Sequence, residues 1–551
     1  MKIIFVTGWA ISGLGKGVTS SSIGRLIKSA GKSVGMVKMD PYLQIDAGTM
    51  SPYEHWEVFV TQDWWECDLD IWNYERFTDE NLWKINNITT WKVYQNVINR
   101  ERAGWYLWKT VQIVPHITNE IKDQIIEVAK NYDFTIVEVG WTVWDIESAP
   151  FLEAIRQMKK DLGKSNVFYM IVAPLLYLNY SWEVKTKLVQ SSVSELRKCW
   201  IVPDAIICRT EVELEEEIKD KLSRTCDVCS DAIIEAKNVD TIYQVPEYFN
   251  KQNLLKLIWN KMEVSDFKAD LKEWNKLVDK IINSKKEVNI WVVGKYTNFA
   301  DTYKSISEAF IHAWVANNCK VKLKLIDSEK IDSLKKVEKK LKWIDGVLVP
   351  GGFGERWVEW KILTVQYLRE NNIPFLGICL WLQVAVIESA RNKCWIIDAN
   401  SREFDENSKN LVIDLMEEQK EITQKWWTMR LWSYEAKLQK WSLAERLYKA
   451  SPLASKEATS PLTPLLKGEG DDDIIITERH RHRYEVNPKY HEILEENWLI
   501  ISGKAPDRDL AEFIEIPEHK FFIATQAHPE LKSRLEKPHP LFVGLVKASM
   551  G

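Results

Sequence analysis

A short apolar strand, a glycine-rich turn and a helix-compatible segment open the chain, and this order limits the fold more than any other feature. Ile3 to Val6 is the strand, Ser12-Gly13-Leu14-Gly15-Lys16-Gly17 the turn, and Thr19 to Ser29 the helical stretch. Strand, loop and helix in sequence begin a parallel α/β domain. Backbone N–H groups of such a loop cradle phosphate, and a lysine within it neutralises the outer phosphates. The Walker pattern is met only in part. Ala10 stands at its first glycine position and Gly17 at its magnesium-binding Ser/Thr position. By the loop alone, a bare glycine-rich turn stays open as the alternative.

Further short apolar runs follow at Ser33–Met36, Thr135–Val139, Val167–Val172 and Ala205–Cys208, with a helical pattern at Ile117–Lys130. This alternation predicts a doubly wound sheet with ligands at the carboxyl ends of its strands. From about Leu254 to Lys286 the chain turns charged and helical. A second βα series runs from Val288–Val293 through Val321–Ile326, Gly346–Val349 and Pro374–Ile378 to Phe521–Thr525. The expected fold class is α/β throughout. Residues 1–265 form a P-loop-like parallel-sheet domain, 266–286 a linker with a helix, and 287–551 a second α/β domain. Ser451–Asp473, rich in Pro, Ser, Gly and charge, reads as a disordered surface insertion.

Composition narrows the class. Hydrophobic residues are 45% and charged residues 28% of 551, which is globular and excludes disordered, collagen-like and coiled-coil chains. Lys+Arg 74 against Asp+Glu 79 leaves no excess positive charge for a nucleic-acid binder. No apolar run spans a bilayer, and no signal peptide is expected from MKIIFVTGWAISGLGKG. Eight cysteines in so long a chain make no disulfide framework and fit a reducing cytoplasm.

One count is unusual: 27 Trp against 22 Gly. Ordinary glycine usage of about 7% gives roughly 39 in such a chain. Trp9 follows Gly8 in the phosphate-loop region, Trp141 and Trp144 interrupt EVGWTVWDIE, and Trp64-Trp65 and Trp426-Trp427 are adjacent pairs in polar stretches. These contexts ask for glycine backbone, not for a large ring that needs burial. The expectation is that UGA codons meaning glycine underlie most of these tryptophans, including 9, 56, 64, 72, 141, 144, 182, 357, 360, 381, 427 and 432.

Chemistry-bearing residues cluster in both halves. Asp70 follows Asp68-Leu69, and Glu138 ends the Thr135–Val139 strand. Two acids at separate strand ends suit Mg²⁺, which takes a few carboxylates plus phosphate oxygens. Together with Lys16 they favour a magnesium–nucleotide site over a bare turn. In the second half, Cys379 sits where the apolar strand Phe375–Ile378 runs into a helix. Such a nucleophile elbow exposes the thiol at a helix N-terminus, which favours thiolate. His528-Pro529-Glu530 follows a later strand and supplies a base and an orienting acid. Pro350-Gly351-Gly352-Phe353-Gly354 can offer a backbone N–H to an oxyanion. Cys226 and Cys229 have CxxC spacing without a second pair, so no zinc site is expected, and His480 and His482 read as structural.

Several motifs in order carry a family resemblance: SGLGKG, KMDPYLQIDAGTMSP, DLDIWNYERF, NVINRER, VQIVPHIT, EVGWTVWDIES, EVKTKLVQ, GICLWLQ and RHRHRYEVN. The chain resembles the CTP synthases, glutamine-dependent amidoligases that carry a class I glutamine amidotransferase domain. The resemblance covers essentially the whole chain outside Ser451–Asp473. It implies ATP phosphates at Gly13, Leu14, Gly15, Lys16, Gly17 and Val18, a phosphate-transfer lysine at Lys38, and an adenine segment at Lys237, Asn238 and Val239. Asp70 would serve ATP through Mg²⁺, with Glu138 as the second metal ligand. UTP, and CTP as feedback inhibitor, would be held by Ser12, by Asp145, Ile146 and Glu147, by Lys185, Thr186, Lys187, Leu188, Val189 and Gln190, and by Lys221. Leu188 departs from the family's proline.

Glutamine would lie against Gly352, Leu380, Trp381, Leu382, Gln383, Glu403 and Arg483, with Cys379, His528 and Glu530 as the catalytic triad. Trp381 replaces a family glycine, and its indole is expected to crowd the glutamine pocket. Trp274 is the tryptophan the family pattern tolerates, and it is expected to be genuine. The activity implied is ATP-dependent amination of UTP to CTP, with ammonia from glutamine passing through the protein. Implied besides are a cytoplasmic homotetramer and GTP as allosteric activator. A cobyrinic-acid-type amidase is the rival within the class, opposed by KMDPYLQIDAGTMSP and KTKLVQ. A catalytically impaired, filament-forming homologue is the alternative if the tryptophans are literal.

Overall fold

A computed structural model describes residues 1–9, 13–45, 58–63, 65–178, 183–294, 303–327, 337–338, 341, 344–351, 358–415, 430, 433–451 and 474–551. Ser12, Gly352, the tryptophans at 56, 64, 182, 357, 427 and 432, and nearly all of the expected insertion lie outside them. The chain divides into two compact units, Met1–Ser51 with Glu66–Ile282, and Pro52–Trp65 with Asn283–Gly551. The domain limits expected from sequence place 52–65 with the first. Gln62 Nε2 donates to Ser433 Oγ at 2.9 Å, and the Arg479 guanidinium lies 4.8 Å from the Phe59 ring centroid, which ties this segment to the second.

The first unit is built on seven parallel strands: β1 Lys2–Gly8, β2 Val34–Asp40, β3 Asn87–Thr89, β4 Phe134–Val139, β5 Val167–Pro174, β6 Ala205–Thr210 and β7 Ile233–Lys237. Their order is β7-β6-β5-β1-β4-β2-β3. Ile3, Ile4, Phe5 and Val6 of β1 are fully buried, the pattern of a central strand covered on both faces. β2 runs four residues past the expected Met36, because Lys38 and Asp40 are buried against each other's charge and do not end the strand. The polar edge strand β3 and β7 had no apolar signature strong enough to be read. Helix α1, Lys16–Ser29, follows the glycine-rich loop, with Gly15 at φ +94° just before it.

In the second unit, β8 Lys286–Gly294, β9 Cys319–Asp327, β10 Gly346–Val349, β11 Phe375–Ile378, β12 Ser433–Leu438, β13 Ile475–Arg479, β14 Ile500–Lys504, β15 Ala511–Glu515 and β16 Phe522–Thr525 form one sheet. The order is β9-β8-β10-β11-β16-β15-β14-β12-β13. β8 to β11 and β16 are mutually parallel, whereas β16-β15-β14-β12-β13 pair antiparallel. The parallel half was legible as apolar runs. The antiparallel wing was not, since strands such as SYEAKL alternate polar and apolar residues. Among the described residues no helix is long and apolar enough to cross a membrane.

Candidate active sites

The first site forms where β1, β4 and β2 end side by side. Gly13 and Gly15 hold φ of +76° and +94°, which turns the loop after β1 into α1. Lys16 leaves the first turn of α1 and its Nζ donates to the Trp141 carbonyl at 2.5 Å. A Cβ on Gly8 would meet Lys16 Cδ at 2.6 Å, so β1 must end in glycine for the lysine to pass. A Cβ on Gly17 would collide with the Asp70 carboxylate. That collision explains the departure from the Walker pattern: a carboxylate from α2, Asp70–Thr78, stands where a hydroxyl would project.

Register places Lys38 directly opposite Glu138 across β2 and β4. Lys38 Nζ contacts Asp70 Oδ2, lies 3.3 Å from Glu138 Oε1 and 3.8 Å from Asp40 Oδ1. Burial disfavours the Lys38 charge, yet Asp70, Glu138 and Asp40 together hold its pKa well above the ordinary value. The acids divide unequally. Burial would raise Asp70, but Lys38 overrides it and holds the carboxyl below its usual range. Burial wins at Glu138, raising its pKa despite Lys38, and pushes Asp40 up to about 7. Tyr74 OH donates to Glu138 Oε2 at 2.5 Å. Lys16 is lowered by burial, with Glu138 opposing. Three carboxylates, Asp70, Glu138 and Asp40, stand against the two cations Lys38 and Lys16, and their hard oxygens are donors of the kind magnesium takes.

The other residues expected to meet nucleotides lie on separate elements of the same unit. Lys237 ends the edge strand β7, and Asn238 and Val239 follow. Arg209, near the end of β6, was missed by the sequence reading because a lone arginine in a strand carries no motif. Its Nε would lie 4.0 Å from a Cβ on Gly15, and its Nη1 donates to the Ala236 carbonyl at 2.8 Å. Asp145 precedes the turn Ile146–Ser148, and its carboxylate accepts from the Thr142 N–H at 2.7 Å. Lys187 to Gln190 form the first turn of α3, Lys187–Lys198, with Thr186 just before it. Lys185 lies in the short strand Glu183–Lys185, and Lys221 in α4, Glu216–Cys226. Both act on Glu183, whose carboxyl is held low by Lys185 first and Lys221 after it.

The second site uses the same end of three adjacent parallel strands. Gly351 follows β10, Cys379 follows β11 and His528 follows β16. Cys379 holds φ +55° and ψ −107° at the start of α5, Leu380–Asn392. Its N–H donates to the Thr525 carbonyl at 2.7 Å, pinning the elbow to β16. A Cβ on Gly351 would stand 3.0 Å from His528 Cε1 and 3.6 Å from Cys379 Cβ, so only glycine brings backbone this close. His528 Nδ1 lies 2.7 Å from Glu530 Oε1. Burial alone would lower the imidazole, but Glu530 and then Cys379 raise it to about 10. An imidazolium beside a sulfur is the arrangement of a thiolate ion pair.

Gln383 Nε2 donates to the Tyr484 carbonyl at 2.9 Å and to Gln526 Oε1 at 3.2 Å. Tyr484 is raised by burial and flanked by Glu403 and Arg483. Gln526 was another omission, although it stands two residues before His528. The Trp381 ring does not follow expectation. It turns into the core and packs on Trp360, centroids 5.7 Å apart, and is 2% exposed. His480 and His482 are buried in a carboxylate network, with His482 Nε2 2.7 Å from Glu485 Oε1. Cys226 is buried and Cys229 exposed.

A family model described as CTP synthase N-terminus matches residues 2–264, and one described as glutamine amidotransferase class-I matches 298–548. CTP synthase of Methanocaldococcus jannaschii is 55% identical over 100% of this chain and 99% of its own length. That of Methanococcus maripaludis is 54% identical, with 100% of both chains covered. A solved structure of the Trypanosoma brucei CTPS glutaminase domain with bound acivicin matches 48% of this chain and 93% of its own, at 33% identity and TM-score 0.41. With relatives this similar along its full length, the chain belongs to the CTP synthase family.

Proposed function

We infer that the protein aminates UTP to CTP, using ATP and ammonia from glutamine. The observation that carries this reading is Lys38 set among Asp70, Glu138 and Asp40 beside the Gly13–Lys16 loop. A glutaminase alone has no use for that cluster. At the second site the Cys379 thiolate attacks the glutamine side-chain amide carbon. A backbone N–H at Gly351–Gly352 receives the oxyanion, and the His528 imidazolium gives its proton to the leaving ammonia. Water then hydrolyses the thioester to glutamate. At the first site ATP phosphorylates O4 of UTP, ammonia attacks C4 and phosphate leaves. Lys16 and Lys38 offset the phosphate charge as it shifts.

Asp70 and Glu138 would hold Mg²⁺, which supplies charge neutralisation on the nucleotide phosphates. Gly13 to Val18 and Lys237 to Val239 bind ATP in this reading. Ser12, Asp145 to Glu147, Lys185 to Gln190 and Lys221 bind UTP and inhibitory CTP. Gly352, Leu380 to Gln383, Glu403 and Arg483 bind glutamine. GTP as activator, a homotetramer and a cytoplasmic location complete the proposal. Apart from 52–65, which groups with the second unit, the domain limits proposed are 1–265, 266–286 and 287–551. The chain keeps Lys16, Asp70, Glu138, Cys379, His528 and Glu530, which counts against the impaired homologue. CTP formation from UTP and ATP, with glutamine or with ammonia, is the direct test. Absence of product from both nitrogen sources overturns the reading.

A further inference from the structure

Gln526 reaches the nucleophile. It is fully buried, and its Nε2 lies 3.6 Å from Cys379 Sγ, within range of an N–H···S hydrogen bond. A glutamine side chain can present either its amide N–H or its carbonyl to a neighbour. Here the choice is fixed by a second residue. Gln383 Nε2 donates to Gln526 Oε1 at 3.2 Å, so the carbonyl end is used and the N–H end must face the sulfur. Gln383 is anchored in turn by the Tyr484 carbonyl at 2.9 Å. The Gln526 backbone is fixed too, its N–H donating to the Glu512 carbonyl at 3.0 Å.

We propose that Gln526 is a positioning residue for the glutaminase half-reaction, stabilising the Cys379 thiolate through its amide N–H. This rests on the glutaminase reading above. A neutral donor aimed at an anion strengthens when the charge forms, so it favours the thiolate over the thiol. The test is the pH dependence of Cys379 alkylation by iodoacetamide in the full chain, for wild type, Gln526→Met and Gln526→Glu. Gln526→Met keeps length without the donor. Alkylation at neutral pH is expected to slow about tenfold, its midpoint moving to higher pH. Gln526→Glu sets an acceptor against the sulfur and moves the midpoint further. A plain packing role would leave that midpoint where it was. An unchanged midpoint in variants that still make CTP from ammonia overturns the proposal. Loss of the glutaminase reading itself would show differently, as glutamine turnover that survives Cys379→Ala.

Trp108, Trp141, Trp200, Trp395, Trp441 and Trp498 hold φ between +56° and +72°. The left-handed region suits glycine, tolerates Asn and Asp, and is an outlier for a bulky side chain. Two of these positions repeat a motif the chain builds elsewhere with glycine. After α1, Gly31 N–H donates to Lys28 O at 2.9 Å and Lys32 N–H to Ile27 O at 3.2 Å. After the helix Thr90–Arg102, Gly104 and Trp105 make the same pair of bonds, to Glu101 O at 2.9 Å and Arg100 O at 3.0 Å. After α3 the residue in that place is Trp200, donating to Arg197 O at 2.8 Å, with Ile201 to Leu196 O at 3.3 Å. After the helix His491–Glu496 it is Trp498, donating to Glu495 O at 3.3 Å, with Leu499 to Leu494 O at 3.1 Å. This helix-ending motif favours glycine at its left-handed residue, although the chain also builds it with Asn372 and Glu263.

The rings gain nothing in return. Trp200 is 85% exposed and Trp498 59%. Buried rings at Trp9, Trp72, Trp314 and Trp360 leave the indole N–H without an acceptor among the described residues. Trp259 and Trp274 differ: their N–H groups donate to Phe267 O and Tyr243 O, each at 2.8 Å. We infer that the polypeptide made in its source cells carries glycine at the six left-handed positions and tryptophan at 259 and 274, through UGA codons decoded as glycine. Tandem mass spectrometry of the protein purified from those cells decides this. Glycine in the peptides covering 200 and 498, with tryptophan in that covering 274, is the expected result. Tryptophan at 200 and 498 overturns it.

Discussion

His528 Nδ1 lies 2.7 Å from Glu530 Oε1, and this carboxylate is the largest influence raising the imidazole to about 10. Glu530→Gln keeps the hydrogen-bond geometry and removes the charge. Glutamine-dependent CTP formation is expected to fall by about 10²- to 10⁴-fold, the scale seen when an orienting acid is lost from such a triad. Ammonia-dependent formation should not change. The sign of the shift sets the pH behaviour. A raised imidazole keeps its proton up to about 10, which sets the alkaline limit of the imidazolium form. In Glu530→Gln the alkaline limb of glutaminase activity should therefore move to lower pH, and a pH–rate profile checks it.

Cys379→Ala separates the two half-reactions. The thiolate forms the acyl-enzyme, and amination takes place on other residues. Glutamine-dependent synthesis should disappear while synthesis from added ammonia stays near wild type. Parallel loss of both would contradict the two-site assignment.

At the first site, Lys16→Ala removes charge that both nitrogen routes share, so both activities should be lost. Asp70→Asn and Glu138→Gln should each raise the Mg²⁺ concentration needed for half-maximal rate. Ammonia-dependent CTP formation measured across a magnesium titration tests all three. A magnesium dependence that does not move removes that acid from the metal site.

How much of this was legible follows from what each signal depends on. The loop after β1, the elbow at Cys379 and the His528-x-Glu530 pair are local in sequence, so spacing revealed them. The buried strands of the parallel halves were readable as apolar runs. Lys38 in mid-strand looked like a boundary, since nothing local shows that Glu138, a hundred residues on, neutralises it across the sheet. Arg209 and Gln526 escaped for the same reason: their partners come from elements distant in sequence. The crowding expected of Trp381 failed because rotamer choice, invisible in sequence, turns the ring into the core against Trp360.

The helix ends allow a stability test in recombinant protein. A bulky residue in the left-handed region costs about 1–2 kcal/mol relative to glycine. Trp200→Gly and Trp498→Gly each relieve that cost while losing little burial, because both rings are exposed. Each should raise the melting temperature of the recombinant tryptophan form, and the pair should be close to additive, since the sites lie in separate units. Gly104→Trp, the converse change, should lower it. Differential scanning fluorimetry reads all three.

Acid stability has an identifiable source in the second unit. Glu478 on β13 is buried, accepting the Tyr448 hydroxyl at 2.7 Å and lying 3.0 Å from His539 Nε2. Burial would raise its carboxyl, but Lys532 and His539 hold it down at about 2. A depressed carboxyl stabilises the fold fully above its unfolded value of 4.5, and that stabilisation is lost as pH falls toward 2. The shift corresponds to about 3 kcal/mol, as an order of magnitude. Glu478→Gln should therefore melt well below wild type at neutral pH, where the ionised partner set is missing. The gap should narrow steadily below pH 4.5, because wild type then loses what the variant never had. Melting temperatures of both proteins between pH 7 and pH 3 check this, and a gap that stays constant with pH would mean that Glu478 acts through packing and not through charge.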